Sequence, residues 1–224
     1  GYWSFDGPDM AKGTNEFALD RSGNGNNGTL TNGPVRVVGK LGQALEFDGV
    51  DDYVIVNTGD FGDTSPLSIS VWINPRTQGS SNQSAFVSTS SACANVVVQG
   101  WIFGFYGNLG ARGEICFDVD FTTTNLLVIS SQNTVPFNQW QHLVLTWDGS
   151  GTAANAHIYR NGTEISYATQ TNASGSRVND GNAYALIGLT QSDAKEFDGL
   201  IDEVRIYNRA LSAEEVRRLY NMGR

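Results

Sequence analysis

Segment 20–28 concentrates oxygen ligands, because its nine residues include one Asp, one Ser, three Asn and three Gly. Calcium binds carboxylate, amide and backbone carbonyl oxygens in a flexible geometry. A loop rich in Gly and Asn exposes such carbonyls, although the same composition is typical of a plain turn with left-handed backbone angles. The segment therefore predicts a structural calcium site that uses Asp20, Asn24, Asn26 and the carbonyl of Gly25, with a simple turn as the alternative.

Three carboxylates of one parity, Glu114, Asp118 and Asp120, are candidates for acid–base chemistry. Alternate residues of a strand share one face, and a retaining glycosidase needs two carboxyl groups about 5 Å apart. No second Glu completes such a set in this segment. We interpret these residues as a polar face or a ligand-contact strand.

The chain has two histidines, His142 and His157. His142 is the candidate for a general base, but no Arg-rich strand accompanies it, and no nucleophile elbow supports Ser-His-Asp chemistry. We therefore predict no catalytic residues.

Aromatic and planar polar side chains are mixed in region 78–122. Aromatic rings supply contact area to a sugar, and Asn, Gln, Asp and Arg fix its orientation. Core packing is the alternative for Trp101, because both faces of its strand are apolar. The predicted ligand contacts are Gln99, Trp101, Tyr106, Arg112, Glu114 and Asp118.

Cys93 and Cys116 are 23 positions apart and have neither a metal-binding nor a redox spacing. A disulfide between them would tie a loop to a nearby strand and imply an oxidising compartment. Two free buried thiols are the alternative.

The elements that position these residues are mostly strands. Segment 67–73 alternates Leu, Ile, Val and Ile on one side with polar residues and Trp on the other, segment 140–147 is strongly strand-like, and Asn161-Gly162 is a two-residue hairpin signal. Ser212 and Glu215 predict a capped helix to about residue 221. About a dozen strands without βαβ units predict an all-β, antiparallel two-sheet sandwich of the jelly-roll type with a short C-terminal helix.

Composition limits the partners. The 224 residues carry a net charge of −9, which disfavours nucleic acid and anionic membranes and suits a divalent cation. No apolar stretch approaches the length of a membrane span. Residues 1–224 are predicted to form one domain, because no linker or repeat interrupts them.

Four segments together resemble a known family: YWSFD at 2–6, the loop at 20–28, FDGVDDY at 47–53 and FDGLIDEVRIYNRALS at 197–212. They are similar to the laminin-G-like branch of the concanavalin A-like lectin/glucanase superfamily. The resemblance implies that loop 20–28 lies beside the last strand, which nominates Asp202 as the second metal carboxylate. Asp202 has the parity of Leu200, Val204 and Ile206, the expected inward face, where a carboxylate needs a partner such as a cation.

The superfamily includes sugar-binding modules, adhesion domains, hydrolases and lyases, so fold alone does not fix the function. The expected function is a non-catalytic module of a larger secreted or surface protein that binds a polysaccharide or other glycan as a monomer. An adhesion domain that recognises protein is the first alternative. A hydrolase or lyase with an atypical site is the second.

Overall fold

The computed structural model describes residues 1–12, 16–57, 61, 65–79, 83–89, 93, 100–107, 112–178, 184–191 and 195–224. The strands in this part of the chain are β1 (Tyr2–Trp3), β2 (Met10–Lys12), β3 (Glu16–Ala18), β4 (Gly28–Thr31), β5 (Val35–Val38), β6 (Gln43–Asp48), β7 (Tyr53–Val56), β8 (Leu67–Pro75), β9 (Ser84–Ser88), β10 (Trp101–Tyr106), β11 (Glu114–Val119), β12 (Leu126–Ser130), β13 (Gln141–Trp147), β14 (Ala156–Arg160), β15 (Thr163–Glu164), β16 (Tyr167–Thr171), β17 (Ala185–Ile187) and β18 (Asp198–Tyr207). The same residues also form two short 3₁₀ turns (Gly7–Asp9 and Ala153–Asn155) and one α-helix, α1 (Ala213–Met222).

The strands form two antiparallel sheets, as the sequence predicts. The first sheet has the order β15-β14-β13-β8-β18-β6-β5, with β1 also paired to β18. The second has the order β16-β12-β11-β10-β9-β17-β7-β4-β3-β2. The last strand, β18, lies in the middle of the first sheet between β8 and β6.

The main core lies between the two sheets and takes alternate residues from their strands. Leu67, Ile69, Val71 and Ile73 of β8 are completely buried there, which confirms the predicted alternation. Phe103, Phe105 and Phe117 enter the same core from the second sheet. Burial of these large side chains is the dominant stabilising contribution to the sandwich.

Helix α1 covers part of the outer face of the first sheet. Its N-terminus has the predicted capping box, in which the Glu215 N–H donates to Ser212 Oγ and the Ser212 N–H donates to Glu215 Oε2. Val216 packs with Val144 of β13 and Tyr159 of β14. The helix therefore closes a second, smaller apolar cluster.

A disulfide joins Cys93 to Cys116 on the outer face of the second sheet, with the two Cα atoms 6.5 Å apart. Ala85 and Ile102 pack beside it. This confirms the predicted pairing in place of two free thiols.

The hairpin at Asn161-Gly162 is confirmed, since both residues have positive φ and connect β14 to β15. The sequence reasoning did not find β2, β3, β4 and β5, which are three or four residues long and mix polar with apolar residues. Such short strands are set by their sheet neighbours more than by their own pattern. No helix in the described residues has the length and apolarity that a membrane span requires.

Candidate binding cleft

Asp20 organises the predicted oxygen-rich loop. Its Oδ1 accepts hydrogen bonds from the backbone N–H groups of Tyr2 (2.9 Å) and Ser22 (2.8 Å). Its Oδ2 accepts from Ser22 Oγ (2.8 Å) and the Asn26 N–H (3.0 Å). Burial opposes ionisation of Asp20, but the hydrogen bonds from Ser22, Tyr2 and Asn26 outweigh it and lower the pKa of the carboxyl.

The loop lies beside the last strand, as the family resemblance implies. Strand β1 pairs with β18 through Tyr2 opposite Arg205 and Trp3 opposite Val204. The indole N–H of Trp3 donates to the backbone carbonyl of Asn26 at 2.9 Å. These contacts join the two ends of the chain.

The expected inward orientation of Asp202 is wrong. A β-bulge between Asp202 and Arg205 changes the register of β18, and Asp202 lies opposite Trp72 on the outer face of the first sheet. An inserted residue reverses the faces of the side chains that follow it. Asp202 is nevertheless fully buried, and its Oδ2 accepts from the N–H groups of Lys40 and Leu41, both at 2.9 Å.

The predicted metal ligands therefore fall into two hydrogen-bonded groups. Asp20, Asn24, Gly25 and Asn26 belong to the loop, whereas Asp202 is bonded to the turn between β5 and β6. Burial raises the pKa of Asp202 to about 7, so this carboxyl is held in a site that disfavours its charge. The described structure does not bring Asp202 to the same partners as Asp20.

A cleft of about 600 Å³ opens between the loop and the C-terminal end of β18. Its lining combines aromatic rings, side-chain amides and one guanidinium group. These are Tyr2, Phe61, Tyr207, Asn24, Asn26, Asn208 and Arg205.

Two residues that line the cleft, Tyr2 and Arg205, are held by a fixed network around Glu203, the bulge residue behind them, whose φ is +53°. The Tyr2 hydroxyl donates to both carboxylate oxygens of Glu203 at 3.0 Å. The Arg205 guanidinium lies 4.2 Å from the centre of the Tyr2 ring and donates to Glu203 Oε2 at 2.6 Å. The bulge thus positions both Tyr2 and Arg205.

Of the predicted ligand contacts, Trp101 lies in the core. It has no exposed surface, and its indole N–H donates to the carbonyl of Phe61 at 2.8 Å. A side chain without exposed surface cannot stack on a dissolved sugar. Gln99 lies outside the described residues.

Glu114 and Asp118 share one face of β11, as their parity predicts, and Tyr106 of β10 lies on the same outer face of the second sheet. Tyr106 is opposite Glu114, and Asp118 is opposite Ile102. Both carboxylates are buried, and burial raises the pKa of Glu114. Arg112 is exposed just before β11.

The spacing on this face does not match a glycosidase pair. Glu114 and Asp118 are four residues apart on one strand, which separates their Cα atoms by about 13 Å. Glycosidase carboxyl groups lie about 5 to 9.5 Å apart. Asp120, beyond the end of β11, accepts a hydrogen bond from Asn125 Nδ2 at 2.6 Å.

His142, the alternative general base, is buried under helix α1 with 1% of its surface exposed. Its Nε2 lies 2.9 Å from Ser70 Oγ, and its ring is 5.0 Å from Trp72 and 6.1 Å from Tyr220. Burial, assisted by the charge of Arg205, lowers its pKa to about 3. The imidazole is therefore neutral and enclosed, and no dissolved polysaccharide can reach it as this fold stands.

A third acidic group, Asp48, Asp51 and Asp52, lies at the turn between β6 and β7, with one oxygen of each within 4.8 Å of the others. Asp52 Oδ2 accepts from the Asp48 N–H, and Asp48 Oδ1 accepts from the Val50 N–H. Asp48 and Asp52 therefore act as hydrogen-bond acceptors within the turn, which is the usual role of Asp in turns.

The profile of the laminin G family described as concanavalin A-like lectin/glucanases superfamily matches residues 48–217. The chain belongs to this family. No curated protein matches the sequence of this laminin-G-like domain.

Solved structures share the fold of the laminin-G-like domain. The binding domain of Paraclostridial Mosquitocidal Protein 1 is 21% identical, with a TM-score of 0.69 over 95% of this chain and 51% of that one. Domain 4 of AbnA, a GH43 extracellular arabinanase from Geobacillus stearothermophilus solved with arabinotriose, is 22% identical, with a TM-score of 0.63 over 98% and 96%. The botulinum neurotoxin serotype D ligand-binding domain, solved with N-acetylneuraminic acid, is 16% identical, with a TM-score of 0.61 over 99% and 50%.

The laminin-G-like domain spans about half the length of the toxin binding domains and almost all of the arabinanase domain. At these identities the likeness establishes the fold. The cleft residues Arg205, Tyr207 and Asn208 were not predicted as ligand contacts, although they lie in the segment that carries the family resemblance.

Proposed function

We propose that this domain is a non-catalytic glycan-binding module and that the cleft between loop 20–28 and β18 holds the sugar. The observation that carries the proposal is the combination, in one cleft of about 600 Å³, of aromatic rings, three Asn side chains and an Arg. Aromatic surface supports the C–H faces of a sugar, and amides donate to and accept from its hydroxyls. The sugars present in two of the similar structures, arabinotriose and N-acetylneuraminic acid, support the same class of ligand.

The wider context is part of the proposal. A polysaccharide-binding module would serve a larger secreted or cell-surface protein as a monomeric unit, and the Cys93–Cys116 disulfide agrees with an oxidising compartment. Tyr106 and Arg112, which keep exposed surface, are a second place where a long polysaccharide would make contact, whereas Glu114 and Asp118, at 7% and 3% exposed, offer it little surface.

The test is binding of the full chain to a glycan array, followed by affinity electrophoresis on plant, algal and animal polysaccharides. The exposed amides at Asn24 and Asn208 allow variants that leave the core intact. We expect the double variant Asn24→Ala/Asn208→Ala to weaken binding by about tenfold, because two hydroxyl partners are lost. Asn221→Ala, an exposed amide on α1 outside the cleft, is the matched control.

Failure of the wild-type chain to bind any glycan would overturn the carbohydrate proposal. Capture of a single protein ligand in its place would favour the adhesion alternative. Release of reducing ends or of unsaturated sugars would favour the enzyme alternative.

We also propose calcium for loop 20–28. The side-chain N–H of Asn24 donates to Ser22 Oγ, a bond that leaves the Asn24 side-chain carbonyl oxygen available to a cation, and the Asp20 carboxylate supplies negative charge. An ion at Asp20 would replace at least one of the donors now bonded to it, such as the Ser22 hydroxyl. The two bonds that Asp202 accepts from the β5–β6 turn place it outside this donor set.

A further inference from the structure

The charge of Arg205, the arginine that lines the cleft, is matched by Glu203. Arg205 Nη2 lies 2.6 Å from Glu203 Oε2, and the two side chains are only 16% and 8% exposed. Water therefore screens the pair weakly, and the Tyr2 hydroxyl fixes the carboxylate from the other side. A ligand in the cleft meets a dipolar pair and not an isolated cation.

Two neighbouring arginines are also paired. Arg209, next to Asn208, places Nη2 at 2.7 Å from Glu215 Oε1. Arg21, in loop 20–28, places Nε at 3.0 Å from Asp9 Oδ1. Arg205, which lines the cleft, and Arg21 and Arg209, which adjoin cleft residues in the described segments that form it, are thus each paired with a carboxylate.

The other side chains that line the cleft carry no charge, and they are Tyr2, Ser22, Asn24, Asn26, Phe61, Ile206, Tyr207 and Asn208. The carboxylate of Asp20, which accepts from the N–H groups of Tyr2 and Asn26, adds negative charge beside them. The chain as a whole carries a net charge of −9.

We propose that the cleft selects neutral saccharides over acidic ones and that Glu203 is the residue that sets this selectivity. The inference rests on the proposed glycan-binding function of the same cleft. The carboxylate of a uronic or sialic acid would compete with Glu203 for Arg205 and would lie close to the charge of Glu203, which is repulsive. The hydroxyls of a neutral sugar can bond to the guanidinium and to the Asn amides without displacing the pair.

The experiment compares oligosaccharide pairs that differ only by a hexose in place of a hexuronic acid, with the full chain at pH 7 and a chelator present, so that no cation at loop 20–28 adds positive charge beside the cleft. We expect the wild type to bind the neutral member about fivefold more tightly than the acidic one. Glu203→Gln keeps the shape of the side chain and an acceptor for Tyr2, and removes the negative charge. In this variant the ratio of the two affinities should fall to about one.

Glu46→Gln is the control for net charge, because Glu46 pairs with Arg76 (2.6 Å) and does not line the cleft. It should keep the wild-type ratio. Wild-type preference for the acidic member, or an unchanged ratio in Glu203→Gln, would overturn the inference and leave the glycan-binding function standing. Absence of binding to both members would overturn the proposed function, and this inference would fall with it.

Salt dependence gives a readout that needs no variant. Binding of the acidic oligosaccharide to the wild type should not weaken between roughly 50 and 500 mM NaCl, because salt screens a net repulsion there and not an attraction. A severalfold loss over this range would mean that an available cation attracts the carboxylate of the ligand, and the proposal would be wrong.

Discussion

The hydroxyl of Tyr2 donates to both oxygens of the Glu203 carboxylate at 3.0 Å, and so joins residues 201 positions apart in the sequence. The same carboxylate accepts from Arg205, whose guanidinium lies over the Tyr2 ring. One bulge residue thereby connects the first strand, the last strand and a wall of the cleft.

Removal of this hydroxyl should be measurable. We expect Tyr2→Phe to lower the free energy of unfolding by about 1 to 2 kcal/mol, because the buried Glu203 carboxylate loses a donor. Urea denaturation at pH 7 measures the change. Tyr53→Phe, at a half-buried tyrosine of β7, is the control. Equal stability of Tyr2→Phe and the wild type would mean that the bond contributes nothing.

The raised pKa of Asp202 predicts that this residue contributes less to the stability of the fold as pH rises. Its folded pKa of about 7 lies above the ordinary value of 3.8, so the folded state holds a proton that the unfolded state releases. The contribution is full below about pH 4 and is lost as pH rises through 7, and it is of the order of 4 kcal/mol. Among the charged groups near it, Glu203 repels the ionised carboxylate, and Lys40 lies over the ring of Trp72, the residue opposite Asp202.

The effect is measured as a difference, because His142 contributes the opposite slope below about pH 6.5. The stability of Asp202→Asn relative to the wild type should rise between pH 4 and 7, because the amide oxygen still accepts from Lys40 and Leu41 and does not titrate. Unfolding free energies of both proteins in urea at intervals between pH 4 and 8 test it, and a difference that stays constant over this range would refute the assignment to Asp202.

The lowered pKa of His142 predicts that this residue contributes less to the stability of the fold as pH falls. Its pKa falls from 6.5 to about 3 on folding, so below pH 6.5 the unfolded state binds a proton that the folded state does not. The stability it contributes is full above about pH 6.5 and is lost as pH falls toward 3. We expect the stability of His142→Gln relative to the wild type to rise as pH falls from 6.5 toward 3, because the variant lacks the histidine contribution that the wild type loses in this range. His157→Gln, at the exposed histidine, controls for loss of an imidazole.

The disulfide should stabilise the domain through its loop. For a separation of 23 residues, the chain-entropy estimate is about 3 kcal/mol. Cys93→Ser/Cys116→Ser should therefore melt well below the oxidised wild type, and dithiothreitol should lower the melting temperature of the wild type toward that of the variant. If dithiothreitol leaves the melting temperature of the oxidised wild type unchanged, the disulfide contributes nothing to stability.

The calcium proposal has a separate test. Calcium should raise the melting temperature of chelator-treated wild type, and Asp20→Ala should abolish that rise as well as lowering the starting value, because four hydrogen bonds at Asp20 are lost. Asp202→Asn should retain the response to calcium. Identical melting curves with calcium and with chelator would remove the ion from the proposal and leave Asp20 as the organiser of the loop.

Sequence alone determined the local features of this protein. Alternation in β8 predicted its buried face, Asn161-Gly162 predicted a hairpin, and the spacing of Ser212 and Glu215 predicted the helix cap. Each depends on the conformational preferences of neighbouring residues, which the sequence shows directly.

Tertiary structure decided which side chains meet. The face of Asp202 depends on a bulge in the pairing of β18 with β8, and the cleft depends on the pairing of β1 with a strand at the other end of the chain. Parity could not separate core from surface for Trp101, since both faces of its strand are apolar and only the stacking of the second sheet buried it. Register and packing between distant strands depend on the whole sandwich. The local pattern places Asp202 in the correct strand, but one inserted residue in that strand moves its carboxylate to the other face.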